Sequence, residues 1–292
     1  MANSDDPVAF SFNGSTVYDS DIQTLAPEEW VGDAIIMLLF SLLEEEAHSS
    51  DIELWSPAVV QLLCTTDESS LDPSTASSLF PPKRKINILP SNFVVIKFWI
   101  HRRREPKVSD AYASDSSTMS SHWSLLLIYS PPSSSHTTAY HFDSMEPHNA
   151  HAAARCNANF ASAFDRMPTQ IRAVGQGGWS TTSDQGDAGA GAVLQSQENA
   201  WDCGVYVLAL TNGLVHHLSQ SSIGGGRDER AQLERVISEV VEANGSPAFI
   251  ESWRSSFCAW VRKWQEEANG GGGVWDKMEE VVEALGPWAP HE

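Results

Sequence analysis

The chain has 292 residues, of which 41% are hydrophobic and 19% are charged. This composition indicates a globular protein and excludes a highly charged disordered one, while the length allows one large domain or two small ones. Eighteen Lys and Arg against 38 Asp and Glu leave a formal charge of −20 at pH 7. Such an acidic excess argues against a general nucleic-acid binder and favours a partner with a basic face.

Neither a membrane segment nor a secretory signal is indicated. The amino terminus, Met1 to Pro7, is polar and acidic, unlike the basic start and apolar stretch of a secretory signal. The longest apolar run, Ala34 to Leu43 interrupted by Ser41, is about half the length needed to cross a bilayer. We therefore expect an intracellular protein, cytoplasmic or nuclear, without a membrane partner.

The cysteines give no sign of a disulfide framework or a metal site. Cys64, Cys156, Cys203 and Cys258 stand far apart, without a CxxC motif or a Cys/His pairing at zinc spacing. A structural metal site is therefore not expected.

Hydrophobic periodicity predicts a chain that mixes strands and helices. Strands are predicted at Val8–Phe12, Ile86–Leu89, Trp123–Tyr129 and Thr138–Phe142, and helices from Pro27 to Leu43, Ser56 to Cys64, Ala150 to Phe164, Asp202 to Leu218, Arg227 to Glu242 and Pro247 to Glu267. Two segments stand out. The run Trp123–Tyr129 is almost continuously apolar, which is typical of a strand covered on both faces. The run Asp202 to Leu218 is apolar almost all round, which is typical of a buried central helix.

One domain is predicted over residues 1–268, with two insertions. Residues 93–121 carry a basic Arg102–Arg104 cluster and a Ser-rich tail, and we interpret them as an inserted arm; its role is either nuclear import, contact with an acidic target, or none. Residues 175–191 are rich in Gly, Ser and Asp and should form a loop. Residues 269–292 are interpreted as a Gly-rich linker followed by a short helix.

Cys203 is the first candidate for chemistry, because its sulfur would lie at the amino terminus of the buried helix, a position that favours thiolate. Alone, a cysteine in an apolar helix is more often an inert core residue. Two partners change the interpretation. His122 directly precedes the apolar strand and Asp143 directly follows its hairpin mate, so both should emerge at one end of the same strand pair. A cysteine, a base and an orienting carboxylate are the components of nucleophilic catalysis.

Three segments carry a more specific resemblance: SHWSLLLIY (Ser121–Tyr129), YHFDSM (Tyr140–Met145) and QENAWDCGVYVLAL (Gln197–Leu210). In this order they resemble the signature of the ubiquitin-like-protein-specific cysteine peptidases, the SUMO/sentrin protease family. EEWVGDAII (Glu29–Ile36) and INILPSN (Ile86–Asn92) are similar to further family segments. The resemblance covers roughly residues 8–268, with gaps.

Within this family, four looser similarities are to the deneddylase branch, which removes the Nedd-type modifier. They are Asp6–Val8, SPAVVQLL (Ser56–Leu63), DSMEPHNAHAA (Asp143–Ala153) and SPAFIESWRSSFCAWVRKW (Ser246–Trp264). The implied substrates are the Nedd-type modifier on conjugates such as cullins, or its own precursor.

The resemblance implies a role for each matching residue. Cys203 is the nucleophile, His122 the general base and Asp143 the group that orients the imidazole, while Gln197 and the Cys203 N–H donate to the oxyanion. Trp30 and Trp123 are implied to roof a narrow tunnel for the modifier's Gly-Gly end; for each, a packed core tryptophan is the alternative. Asp33 is implied to bind an arginine of the modifier's tail, with helix capping as its alternative.

The implied fold is α+β and papain-like, of the ubiquitin-like protease type, with a central mixed sheet packed against the helix that bears Cys203. The implied activity is thiol-dependent hydrolysis after the terminal Gly-Gly of a modifier, without metal or cofactor. Three alternatives stay open at this point: the same chemistry on SUMO or ubiquitin, an acetyltransferase that uses the same triad, and an inactive modifier-binding module.

Overall fold

A computed structural model of the protein describes residues 6–49, 51–66, 85–95, 120–131, 134–145, 149–174, 194–221 and 229–269. The strands are β1 Val8–Phe12, β2 Ser15–Tyr18, β3 Ile52–Leu54, β4 Ile86–Val95, β5 Ser120–Tyr129, β6 His136–Phe142 and β7 Met167–Val174. The helices are α1 Asp19–Gln23, α2 Asp33–Ser49, α3 Pro57–Thr65, α4 Ala150–Ala163, α5 Cys203–Gln220, α6 Glu229–Asn244 and α7 Pro247–Asn269.

The centre of the fold is a five-stranded mixed sheet in the order β3-β4-β5-β6-β7. Its inner pairs, β4 with β5 and β5 with β6, are antiparallel, whereas the outer pairs, β3 with β4 and β6 with β7, are parallel. A separate antiparallel hairpin joins β1 and β2. The predicted α+β class with a central mixed sheet is therefore confirmed.

Strand β5 is buried on both faces, as its apolar run predicts. Leu125 and Leu127 belong to the larger core, which also contains buried side chains of α2, α5, α6 and α7. Leu126 and Ile128 point the other way, into a second core formed with α3 and α4. Because successive strand residues face opposite sides, only a continuous apolar run can serve both cores.

Helix α5 lies in the larger core, as predicted. It begins at Cys203, and every residue from Cys203 to Val215 is buried. A helix surrounded by other elements needs apolar residues on all sides, which explains its lack of a polar face. In the described part of the chain, no helix is long and apolar enough to cross a lipid bilayer.

Helix α2 begins later than predicted. The expected acidic first turn at Pro27–Glu29 lies before the helix, which begins at Asp33. Glu28 has a positive φ of 65°, a left-handed conformation that interrupts a right-handed helix. The segment before Asp33 therefore consists of turns and irregular chain that lead into the helix.

Strands β4 and β5 are longer than the sequence pattern indicates. Their register pairs Phe93 with His122 and Val95 with Ser120, so both strands enter the range interpreted as an inserted arm. The remainder of that range, residues 96–119, lies outside the described residues. So do the predicted loop at 175–191 and the tail at 270–292.

Four short or edge elements were not predicted: β2, α1, β3 and β7. Strand β3 has three residues, and β7 is an edge strand in which polar and apolar residues mix without regular alternation. Such segments are held by pairing with a neighbour, so their own sequences carry little signal.

The second core contains a polar connection that can be tested. Asn159 of α4 is fully buried, and its side-chain amide donates to the carbonyls of Leu63 at 2.6 Å and Thr66 at 2.9 Å, at the end of α3. Asn159→Ala should lower the free energy of unfolding by about 1–3 kcal/mol, because it leaves carbonyls at the end of α3 unpaired. Urea unfolding measures this change, and the exposed His151→Ala on the same helix should stay within about 0.5 kcal/mol of the parent.

Candidate active site

Three structural elements meet at the candidate site. His122 lies in β5, Asp143 directly follows β6, and Cys203 is the first residue of α5. All three side chains are buried. The structure thus brings together the cysteine, the imidazole and the carboxylate that the sequence singled out.

Asp143 is held as a carboxylate by three hydrogen bonds. Its Oδ1 lies 2.6 Å from His122 Nε2, and its two oxygens accept the backbone N–H groups of Met145 at 2.9 Å and Asn149 at 3.0 Å. Burial alone would raise the pKa of Asp143, but the bond and charge of His122 and the two N–H groups outweigh it and lower the pKa to about 2. Asp143 therefore stays ionised throughout the physiological range.

His122 lies between this carboxylate and the sulfur. Burial opposes a charged imidazole and by itself lowers its pKa, but hydrogen bonds to Asp143 and Cys203 and the attraction of both groups raise the pKa of His122 to about 9. At neutral pH His122 is consequently an imidazolium. A cysteine beside a positively charged imidazole is the arrangement found in thiol nucleophiles.

A second buried histidine close to the site behaves in the opposite way. Burial is the main cause that lowers the pKa of His141 to about 4; the charge of Asp143 raises it and that of His122 lowers it further. Its Nε2 lies 3.1 Å from the Ser124 hydroxyl. The site therefore concentrates its positive charge on His122, while His141 remains neutral.

Asn149 holds the back of the site and was not identified from the sequence. Its side-chain amide donates to the carbonyl of His122 at 2.8 Å and to the hydroxyl of Ser124 at 3.0 Å, while its backbone N–H binds Asp143. It fixes the strand that carries the imidazole relative to the carboxylate. Asn149 lies in the DSMEPHNAHAA segment, which resembles the deneddylase branch, but that resemblance does not show that its side chain binds the carbonyl of His122.

Close packing surrounds Cys203 on the side of Val31 and Trp123. The Trp123 backbone N–H donates to the Cys203 sulfur at 3.4 Å, and the Trp123 indole donates to the Val31 carbonyl at 3.0 Å. A Cβ on Gly204 would lie 2.6 Å from the Val31 Cβ and 3.2 Å from Trp123 Cδ1. Position 204 must therefore be glycine for the start of α5 to approach this wall.

Gln197 is oriented by its neighbours in the loop before α5. The Ser144 hydroxyl donates to its side-chain carbonyl at 2.6 Å, and its amide nitrogen donates to the Asn199 carbonyl at 2.6 Å. Its backbone N–H also binds the Ser144 carbonyl at 3.0 Å, which ties this loop to the residue after Asp143. An amide nitrogen carries two hydrogens, so the bond to Asn199 leaves one N–H for an oxyanion.

The two candidate tunnel tryptophans differ in exposure. Trp30 is 37% exposed, whereas Trp123 is 2% exposed. Trp30 directly precedes Val31 and so stands beside the packed wall of the site. Asp33 is an exposed residue in the first turn of α2, where an acidic side chain is also favoured by the helix dipole. Its predicted contact with a substrate arginine stays a prediction.

Two curated proteins are similar to this chain. A probable sentrin-specific protease 8 from Dictyostelium discoideum is 24% identical over 216 residues, which cover 72% of this chain and 76% of that protein. The human sentrin-specific protease 8 is 23% identical over 216 residues, covering 73% and 83%. These relatives confirm the resemblance to the ubiquitin-like-protein-specific cysteine peptidases that the motifs indicate.

Among solved structures, the protease domain of the SUMO protease Ulp1 in complex with Smt3, the yeast ortholog of SUMO, aligns with a TM-score of 0.45 at 13% identity. The alignment covers 85% of this chain and 91% of that one. No family model matches the chain.

The charges of the site predict a specific pH dependence. Asp143→Asn removes a negative charge and keeps the shape, so it should lower the pKa of His122 from about 9 toward its ordinary 6.5. Because the raised pKa of His122 stabilises the fold below pH 6.5 and this contribution is lost as the pH rises through 9, the stability advantage of the parent over Asp143→Asn should shrink over that range.

NMR titration of the histidine rings and urea unfolding at pH 6.5 and 9.5 measure both effects. The ring of His141, whose pKa is about 4, is an internal reference that should remain neutral over this range. An unchanged titration of His122 in the variant would show that Asp143 does not control its charge.

Proposed function

We propose that this protein is a cysteine peptidase that hydrolyses the bond after the C-terminal Gly-Gly of a ubiquitin-like modifier. One observation carries the proposal: Cys203 is the first residue of a buried helix and lies next to the His122–Asp143 pair, in which His122 Nε2 is 2.6 Å from Asp143 Oδ1 and the Trp123 N–H, adjacent to His122 in the chain, donates to the Cys203 sulfur. The two sentrin-specific protease relatives support the same activity. The modifier is the partner of this site, and its conjugates are the substrates.

The first half of the reaction forms an acyl-enzyme. The Cys203 thiolate attacks the carbonyl carbon of the terminal glycine, and the oxygen becomes an oxyanion that the backbone N–H of Cys203 and the amide of Gln197 stabilise. His122 then gives its proton to the leaving nitrogen, the carbon–nitrogen bond breaks, and a thioester to Cys203 remains. The released amine is the lysine of the conjugate or the start of the removed peptide.

The second half releases the modifier. His122, now neutral, takes a proton from a water molecule that attacks the thioester carbonyl. The carbon–sulfur bond breaks, the modifier leaves as a glycine carboxylic acid that loses its proton to solvent, and Cys203 and His122 return to the thiolate–imidazolium pair. Asp143 remains ionised in both halves, because its pKa of about 2 is far below the working pH.

Burial of Cys203 explains a preference for glycine. Its side chain is fully enclosed, and the start of α5 packs so closely against Val31 and Trp123 that a single Cβ at position 204 would not fit. A substrate chain that reaches the sulfur through such close packing must be thin and extended. Two consecutive glycines satisfy this condition, since any side chain would collide with the walls.

We propose the Nedd-type modifier as the preferred substrate, on cullins or at its own precursor. Four segments of the chain resemble the deneddylase branch, and both relatives carry one name, sentrin-specific protease 8. Discrimination should act near the tail, where ubiquitin carries an arginine and the Nedd-type modifier a small residue. Burying that arginine without a partner would cost several kcal/mol.

Cys203→Ala should abolish cleavage while substrate binding is retained, because the variant lacks only the nucleophile. The residual turnover, measured by cleavage of a modifier substrate, should lie below about a thousandth of the parent value, as in other triad enzymes.

A second experiment tests the parent protein. It is offered modifiers that end in a glycine electrophile, and the adduct is identified by mass. Failure of every modifier to label Cys203 would exclude the proposed peptidase.

The preferred modifier is measured by kcat/KM on fluorogenic Nedd-type, ubiquitin and SUMO substrates. We expect the Nedd-type substrate to exceed ubiquitin by at least about tenfold, which corresponds to about 1.4 kcal/mol of transition-state binding, and SUMO by more. Equal or better values with SUMO would remove the deneddylase assignment and leave the thiol chemistry intact.

A further inference from the structure

Arg254 is a buried charge far along the chain from the residues of the candidate site. It lies in α7, where its side chain is almost fully enclosed, with 4% of the residue exposed. A buried guanidinium is costly unless its donors are satisfied. Here the donors bind two separate segments, each of which ends next to a residue of the candidate site.

The first segment precedes Trp30. The Nη1 of Arg254 donates to the carbonyl of Ala26 at 2.7 Å and to that of Glu29 at 3.1 Å. Glu29 is the residue directly before Trp30. Lying outside any helix or strand, this stretch has no regular ladder to hold its carbonyls, so the guanidinium fixes the main chain that presents the exposed indole.

The second segment precedes Cys203. Arg254 contacts Asp202 Oδ1 through Nε at 3.1 Å and Nη2 at 2.9 Å, and Nη2 also donates to the Trp201 carbonyl at 3.2 Å. The other oxygen of Asp202 accepts from the Asn199 amide at 2.6 Å, and the Asn199 carbonyl accepts from Gln197. A continuous set of hydrogen bonds thus joins Arg254 to the proposed oxyanion donor.

We propose that Arg254 is a positioning residue. It fixes Trp30 and the loop before it, Ala26–Glu29, relative to the Gln197–Cys203 loop. It thereby sets the width of the passage through which the substrate reaches Cys203 and the placement of the oxyanion donors. This inference rests on the proposed function, since it concerns the same site. The imidazole and carboxylate have other supports, in Asn149 and Met145. Arg254 therefore acts on substrate and transition state and leaves the thiolate–imidazolium pair unchanged.

Arg254→Lys is the sharpest variant, because lysine keeps the charge and most of the volume but lacks the planar set of donors that reaches both segments at once. We expect kcat/KM on the preferred modifier substrate to fall by about 10- to 100-fold, with kcat lowered and KM raised, since misplacement by about 1 Å has effects of this size. Alkylation of Cys203 by iodoacetamide at pH 7 should stay within about twofold of the parent, because this reagent is small enough to enter a passage of altered width and does not use the oxyanion donors.

Arg262→Lys, at an exposed position two turns further along α7, is the matched control and should leave both rates within about twofold. Asp202→Asn tests the same contact from the other side and should reproduce the split between modifier hydrolysis and alkylation. Thermal unfolding monitors the fold of each variant.

The outcomes separate the inference from the proposed function. A parent protein that reacts with no modifier overturns the function and this inference with it. If the parent reacts and the folded Arg254→Lys variant has a normal kcat/KM, the inference alone is overturned. The same holds if this variant loses modifier hydrolysis and alkylation of Cys203 to an equal extent. Failure of both Arg254→Lys and Asp202→Asn to fold would make the contact purely structural and would likewise overturn it.

Discussion

The buried imidazolium of His122 is the constraint on which the site depends. A charge in an apolar interior is unfavourable unless opposite charge and hydrogen bonds compensate for it. Here Asp143 supplies the charge at 2.6 Å, Cys203 supplies a second partner, and Asn149 binds the carbonyl of the same histidine. Strand β5, the turn after β6 and the start of α5 must therefore keep a fixed arrangement. If one partner is lost, the cost of burying the imidazolium is no longer fully compensated.

The architecture supplies that fixed arrangement from two cores. Strand β5 is held on one face by Leu125 and Leu127 and on the other by Leu126 and Ile128, so the segment that follows His122 is packed on both sides. Helix α5 is enclosed on all sides and delivers Cys203 at its first residue. Close packing of this kind resists small displacements, which is why catalytic groups on a central strand and a buried helix hold their geometry better than groups on loops.

The sequence predicted the parts of the fold whose patterns are local. The apolar run of β5, the all-round apolar helix α5 and the placement of His122, Asp143 and Cys203 near element ends all follow from residues a few positions apart. The three-residue β3, the edge strand β7 and the late start of α2 do not, because pairing with a neighbour or one left-handed residue decides them. The roles of Asn149, Ser144 and Arg254 were not predicted for a related reason. Most of their hydrogen bonds reach main-chain atoms or residues far away in the chain. Because every residue has a backbone carbonyl, the sequence does not show which one a side chain will bind.

Selection of a thin substrate requires rigid walls, and the two walls of this site come from segments that are far apart in the chain. Trp30 follows the loop at Ala26–Glu29, whereas Gln197 and Cys203 lie about 170 residues later. Trp123 of β5 joins them at Val31 and Cys203, and the guanidinium of Arg254 joins them a second time, through carbonyls on one side and Asp202 on the other. A protein of strongly acidic composition thus places one of its few positive charges in its interior, where it organises main-chain groups. The contacts that satisfy this buried charge also hold both segments beside Cys203, so one side chain contributes both to the stability of the interior and to the proposed selectivity for the substrate.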